Sequence, residues 1–255
     1  MTAPRAAAVI PARLASTRLP GKLLLDATGK PLLQHVWERV CRATTLDPVL
    51  IAADDERLAA VARGFGARVV MTDPAHPSGS DRVAEVLAGD ALPRDVGLVV
   101  NVQGDEPEID PDDLDRLVRR LAAGRAELAT LARRLGPDEA DVRADPNAVK
   151  VVLDDGQRAL YFSRAPIPHG APPEAAWLHV GVYAWRREAL VAFARAPRHA
   201  LETAERLEQL RALALGMTIA VEPTTHHALG IDTPEDYARF VERVSAGHVR
   251  GCETT

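Results

Sequence analysis

The chain has 255 residues, 47% apolar and 26% charged, with 17 glycines and 19 prolines, a balance that excludes collagen-like, disordered and disulfide-framework proteins and needs no metal or disulfide staple to hold a core. A formal charge of −5 argues against a general nucleic-acid or anionic-membrane surface. Cys41 and Cys252 stand in no metal or redox spacing, and the apolar run at 6–10 is too short for a signal or a span, so a cytoplasmic protein without a transmembrane segment is expected.

Short apolar runs alternate with amphipathic stretches, the pattern of βα units around a mostly parallel, buried sheet flanked by helices. Strands are expected at 6–10, 49–53, 68–71 and 98–103, and helices at 32–41, 56–64 and 81–88. Pro111 opens a further helix, with Asp112, Asp113 and Asp115 suited to its positive end. From Gly124 the rhythm changes. Strands at 127–135, 148–153, 160–163 and 178–185 follow with few helices between them, which predicts antiparallel hairpins, and 166–176 reads as a loop. Helices return at 187–194 and 201–215, then a strand at 218–221, then a last helix opened by Asp232-Thr233-Pro234-Glu235. The chain shows no repeat and no separating linker, so one α/β domain over 1–250 is expected, with a smaller antiparallel, hairpin-rich part at 124–186 and a tail at 251–255.

The loop leaving the first strand, Pro11 to Lys22, carries Arg13, Arg18 and Lys22 in a chain of negative charge. Ligands of open α/β sheets bind at such strand ends, and three cations there ask for an anion, most simply a polyphosphate. The loop is neither a P-loop nor a G-x-G-x-x-G fingerprint. Only Lys22, Lys30 and Lys150 are lysine among 31 basic residues, so a retained lysine suggests a place where a compact point charge fits and a guanidinium fork does not.

A buried strand then ends in Gln103-Gly104-Asp105-Glu106-Pro107, where Gly104 admits a close approach of a ligand and Asp105 is placed to hold Mg²⁺. Asp232 has two readings, metal ligand or N-cap of the last helix. A basic loop with two such aspartates is the parts list for metal-assisted nucleotidyl transfer.

Several further stretches join these motifs in one order across nearly the whole chain. They are His76-Pro77-Ser78-Gly79-Ser80-Asp81-Arg82, Pro146-Asn147-Ala148-Val149-Lys150, Leu160-Tyr161-Phe162-Ser163-Arg164, His179-Val180-Gly181-Val182-Tyr183 and Leu207-Glu208-Gln209-Leu210-Arg211. Together with Ile10-Pro11-Ala12-Arg13, Ser16 to Lys22, Asn101 to Pro107 and Gly230 to Asp236, they resemble the 3-deoxy-D-manno-octulosonate (Kdo) cytidylyltransferase family. The resemblance implies a Rossmann-like nucleotidyltransferase fold similar to that of nucleotide-diphospho-sugar transferases, a homodimer, and the reaction of CTP with Kdo to give CMP-Kdo and pyrophosphate.

The resemblance also implies roles. Arg13, Arg18 and Lys22 would hold the CTP phosphates, with Pro11, Ala12, Ser78, Gly79 and Arg82 completing the nucleotide pocket. Asp105 and Asp232 would hold Mg²⁺, and Gln103, Arg164, His179, Tyr183, Glu208 and Gln209 would line the sugar site. The chain departs from the family at Leu178 and, in Ala184-Trp185-Arg186, at Ala184 and Trp185, positions expected beside the sugar, which leaves another acidic sugar, an 8-amino-Kdo or a nonulosonic acid, as the alternative acceptor and a non-catalytic nucleotide-binding protein as the alternative function.

Overall fold

A strand covered on both faces reads as one unbroken apolar run. In the computed structural model β1 (Arg5–Ala12) is such a strand, with only Arg5 exposed. The structure describes residues 4–226 and 230–247, so the expected tail at 251–255 lies outside the described residues. In chain order follow α1 (Leu32–Val40), β2 (Leu46–Ala53), α2 (Glu56–Gly64), β3 (Arg68–Met71), α3 (Gly79–Ala88), β4 (Val96–Asn101), α4 (Pro111–Ala123) and β5 (Leu128–Arg134). Then come α5 (Ala140–Ala144), β6 (Lys150–Leu153), β7 (Ala159–Ser163), β8 (Trp177–Arg186), α6 (Arg187–Arg195), α7 (Ala200–Glu205), α8 (Gln209–Ala214), β9 (Ile219–Pro223) and α9 (Pro234–Ser245). The fold is the α/β class expected, a mostly parallel sheet flanked by helices.

The chain forms two compact units, whose described parts are 5–96, 101–115 and 230–247 for one and 4, 97–100 and 116–226 for the other. In the first unit β1 pairs with β2 and β2 with β3, all parallel, so that Ala12 stands opposite Ala53 and Ala53 opposite Met71. The carboxyl ends of the three strands are therefore level. The loops that leave them are tied to the strand ends: Asp54 N–H donates to Ala12 O at 3.3 Å and Thr72 N–H to Ala53 O at 2.9 Å. Val102 N–H donates to Val9 O at 3.2 Å and brings the segment after β4 to the same edge. That level edge is what an α/β ligand site requires.

Local capping sets two side chains of the site. The helix over 81–88 begins earlier than its spacing predicts, at Gly79, because Ser78 is the N-cap and accepts from Asp81 N–H. The cap of α9 is Thr233, closed reciprocally by Asp236. Asp232, one residue outside, is thereby left free of capping duty.

In the second unit β5 pairs antiparallel with β8, β6 with β7 and β8, and β5 runs parallel to β9. The hairpins expected after Gly124 are there. The single helix expected over 201–215 is instead two helices, because Arg206 takes a left-handed conformation at φ 54° and Leu207 N–H donates to Glu202 O at 3.2 Å, closing α7 as a Schellman turn. Trp185 is 1% exposed and its ring lies 4.9 Å from that of Phe193. It is a core residue of β8, in which Val182, Tyr183, Ala184 and Trp185 are all buried.

Candidate active site

The basic loop turns on Gly21, which sits at φ 67° where a side chain would be strained. The short 3-10 turn Lys22–Leu24 follows and sends the Lys22 side chain inward. Its ammonium donates to Asp105 Oδ2 at 2.5 Å, to Ile231 O at 2.8 Å and to Asp232 Oδ1 at 3.0 Å. Arg18 Nη2 takes the other Asp232 oxygen at 2.7 Å. Burial works against the Lys22 charge, yet the two carboxylates outweigh it and raise the lysine pKa. The backbone fixes this frame independently, since Ile231 N–H donates to Asp105 O at 2.9 Å. Pro11, Arg13, Arg18, Lys22, Gln103, Asp105 and Asp232 line one cleft of about 300 Å³.

The other expected nucleotide residues take different places. Ala12 is the buried end of β1. Ser78 caps α3 and donates to Asp81 Oδ2 at 2.8 Å. A Cβ at Gly79 would meet Pro11 Cγ at 3.2 Å and Gln103 Oε1 at 3.4 Å, so a side chain at 79 would press on two cleft residues. Arg82 is fully buried and stands behind the loop, donating to Thr72 Oγ1 at 2.5 Å and to Asp54 Oδ2 at 3.4 Å. Asp54 Oδ1 in turn accepts Leu14 N–H at 2.9 Å. Arg82 therefore supports the start of the basic loop through Asp54. The crowding at Gly104 is also internal: a Cβ there would lie 3.0 Å from Pro11 O and 3.3 Å from Leu23 Cδ1.

Glu106 lies beside the pair of aspartates. Its Oε2 is buried with no hydrogen-bond partner among the described residues, and burial, then the Asp105 and Asp232 charges, push its pKa up to about 8. The folded chain thus keeps a proton on Glu106 that the unfolded chain releases above the ordinary value of 4.5, and stability falls as pH rises through that window. Glu106→Gln is expected to flatten the loss between pH 4.5 and about 8, read by denaturant titration across pH. An unchanged pH slope would show that Glu106 ionises freely.

The remaining sugar-site expectations fall in the second unit, whereas Gln103 lines the cleft of the first. Arg164 donates from Nε to Glu205 O at 2.8 Å and from Nη1 to Pro146 O at 2.9 Å, while its backbone N–H donates to Glu205 Oε2 at 2.9 Å. Thr130 Oγ1 donates to Val182 O at 2.8 Å and lies 2.9 Å from His179 Nε2. His179 thus meets Thr130 through Nε2, and its ring is neutral. Burial lowers its pKa to about 3. The Tyr183 ring lies 5.4 Å from that of His179, and burial and the Glu208 charge keep its hydroxyl protonated. Glu208 and Gln209 open α8, with Gln209 3% exposed.

A family model described as cytidylyltransferase matches residues 7–219. A 3-deoxy-manno-octulosonate cytidylyltransferase of Geobacter sulfurreducens is 44% identical, covering 93% of this chain and 98% of its own. One of Myxococcus xanthus is 46% identical over 95% and 96%. The chain belongs to the 3-deoxy-manno-octulosonate cytidylyltransferase family. A solved CMP:2-keto-3-deoxy-manno-octonic acid synthetase complexed with CTP superposes with a TM-score of 0.88 at 38% identity, over 95% of this chain and 99% of that one.

Against that family background, the side chains that sequence reasoning missed are supports. Asp54 holds the basic loop, Thr130 contacts the His179 ring, and Glu205 ties down Arg164. Asp54 carried a usable signal, a carboxylate directly after a buried strand, the same signal that singled out Asp105. Thr130 and Glu205 carried none, since their partners are distant in sequence.

Proposed function

We propose that the chain transfers the cytidylyl group of CTP to the anomeric hydroxyl of Kdo, giving CMP-Kdo and pyrophosphate for a Kdo-containing envelope glycan such as lipopolysaccharide. The observation that carries this reading is the meeting of Lys22 and Arg18 with Asp105 and Asp232 in a cleft at the strand ends. Arg13, Arg18 and Lys22 supply the positive charge that a triphosphate needs. The donor set also suits Mg²⁺, a hard cation held on nucleotide phosphates by one or two carboxylates; among the described residues no group of three or more His, Cys, Asp or Glu forms a metal cage. Asp105 and Asp232 are the residues that would hold it. When bound, Mg²⁺ neutralises phosphate charge and favours ionisation of the attacking hydroxyl.

On the acceptor side, the Arg164 guanidinium suits the Kdo carboxylate, and Tyr183, the neutral His179, Glu208 and Gln209 suit a polyhydroxylated tail. Positioning and charge then do most of the catalytic work, with no dedicated general base. The reading includes a cytoplasmic homodimer. No helix among the described residues is long and apolar enough to cross a membrane.

The test is pyrophosphate release with CTP, Mg²⁺ and Kdo, with UTP and ATP as nucleotide controls and N-acetylneuraminate and an 8-amino analogue of Kdo as sugar controls. Rapid release is expected with CTP and Kdo together. Release with CTP only when another sugar replaces Kdo would move the acceptor, and no release from any pair would overturn the reading.

A further inference from the structure

The Lys22 ammonium has three N–H donors and three acceptors, Asp105 Oδ2, Ile231 O and Asp232 Oδ1, at 2.5, 2.8 and 3.0 Å. A lysine has no fourth donor, so in this arrangement none is left for a phosphate. The second Asp232 oxygen is held by Arg18. A divalent cation on these aspartates competes with the ammonium for their charge, since Asp105 Oδ2 and Asp232 Oδ1 already face Lys22 and two cations brought this close repel one another. The Lys22 side chain is only 11% exposed, yet it is unbranched and follows a glycine turn, so a swing about its own bonds moves the charge without moving the strand ends.

We infer that Lys22 is a cation placeholder, which holds Asp105 and Asp232 until a divalent cation takes them and then passes its ammonium to the nucleotide phosphates. The inference rests on the proposed reading of the two aspartates as the metal pair. Its consequence is coupling: phosphates draw the ammonium off the carboxylates, and the metal drives it toward the phosphates, so CTP and the divalent ion tighten one another by the same factor. The carbonyl of Ile231 stays in place throughout, because the Ile231 N–H bond to Asp105 O ties the two aspartate segments together. The ammonium thus has a fixed acceptor to leave and return to.

The test is Mn²⁺ binding followed by calorimetry, with and without CTP and with no sugar present. Lys22→Met keeps the length of the side chain and removes its charge, and is expected to bind Mn²⁺ without nucleotide about tenfold or more tightly than the wild-type chain, while losing most of the tightening that CTP confers. Equal or weaker Mn²⁺ binding by folded Lys22→Met overturns the placeholder. Adding Asp105→Asn and Asp232→Asn to that variant separates the two ideas. Mn²⁺ affinity that survives all three changes would overturn the metal-pair reading, whereas CTP-dependent Mn²⁺ binding that needs both aspartates but gains nothing from Lys22→Met overturns the placeholder alone.

A second measurement needs no variant. The chain has three lysines, so the side-chain NMR signals of ¹³C- and ¹⁵N-labelled lysine are few, with Lys30 and Lys150 as internal references. The Lys22 signal is expected to move when Mg²⁺ and CTP are added together, and a Lys22 signal that stays in place at saturation overturns the inference.

Discussion

Asp232→Asn is expected to lower turnover on the order of 10²–10³-fold, the loss typical when one preorganised charge partner is removed from a reacting centre, while leaving the melting temperature nearly unchanged. The structural ground for separating the two effects is local. Thr233, not Asp232, caps α9 and exchanges hydrogen bonds with Asp236, so the amide costs the helix nothing. The Asp232 side chain is 43% exposed, and Lys22 keeps Asp105 and the Ile231 carbonyl as acceptors. The change therefore falls on the site and not on the fold. Asp105→Asn is expected to act in the same direction, since its Oδ2 holds the shortest of the Lys22 contacts. Measured kcat for either variant within a factor of two of wild type at saturating Mg²⁺ would remove the carboxylates from the chemistry. A large fall in melting temperature for Asp232→Asn would instead make it a structural residue.

Lys150→Met is expected to cost about 2–4 kcal/mol of stability, because a buried cation is withdrawn from three carbonyl oxygens, of which Asp145 O keeps the Ala148 N–H at 3.2 Å. Lys150 is fully buried, and its ammonium donates to the carbonyls of Asp145, Ala148 and Arg164 at 2.8, 2.5 and 2.7 Å. Three acceptors converging on one point are matched by a tetrahedral ammonium and not by a planar fork. Lys150→Arg is therefore not expected to rescue. For a chain of this size the cost corresponds to a fall of roughly 5–15 °C in melting temperature, read by calorimetry. A Lys150→Met protein that melts within 2 °C of wild type would show that the carbonyls find water at no cost. The same change frees the backbone of Arg164, so a rise in the KM for the sugar is expected to accompany the lost stability.

The two lysines show how far the sequence reaches. A chain that writes nearly every cation as arginine draws attention to Lys22, and Lys22 and Lys150 both sit where three acceptors meet, whereas Lys30 pairs with Glu38 at the surface. Composition alone did not say which was structural and which belonged to the cleft. The strand and helix periods were likewise readable, down to the bounds of α2, because burial on both faces of a strand such as β1 or on one face of a helix writes its period directly into the residues. The basic loop and the aspartates at the strand ends were legible for a related reason: charges beside a buried strand are costly to keep without a purpose.

What the tertiary structure alone decided are the contacts between residues far apart in the chain. The split of the 201–215 stretch depends on one left-handed residue and a single carbonyl partner, and leaves the helical period on either side intact. Asp232 reads equally well as a cap or a ligand until the neighbouring Thr233 is seen to cap α9. Arg82 matches a ligand-binding motif, yet its guanidinium is taken up by Thr72 and Asp54. Trp185 reads as a departure from the family pattern, and its ring packs against Phe193 in the core. In each case local sequence lists what a side chain can do. Which option it takes is settled by the partners that folding brings close, since leaving a buried polar group unpaired is costly.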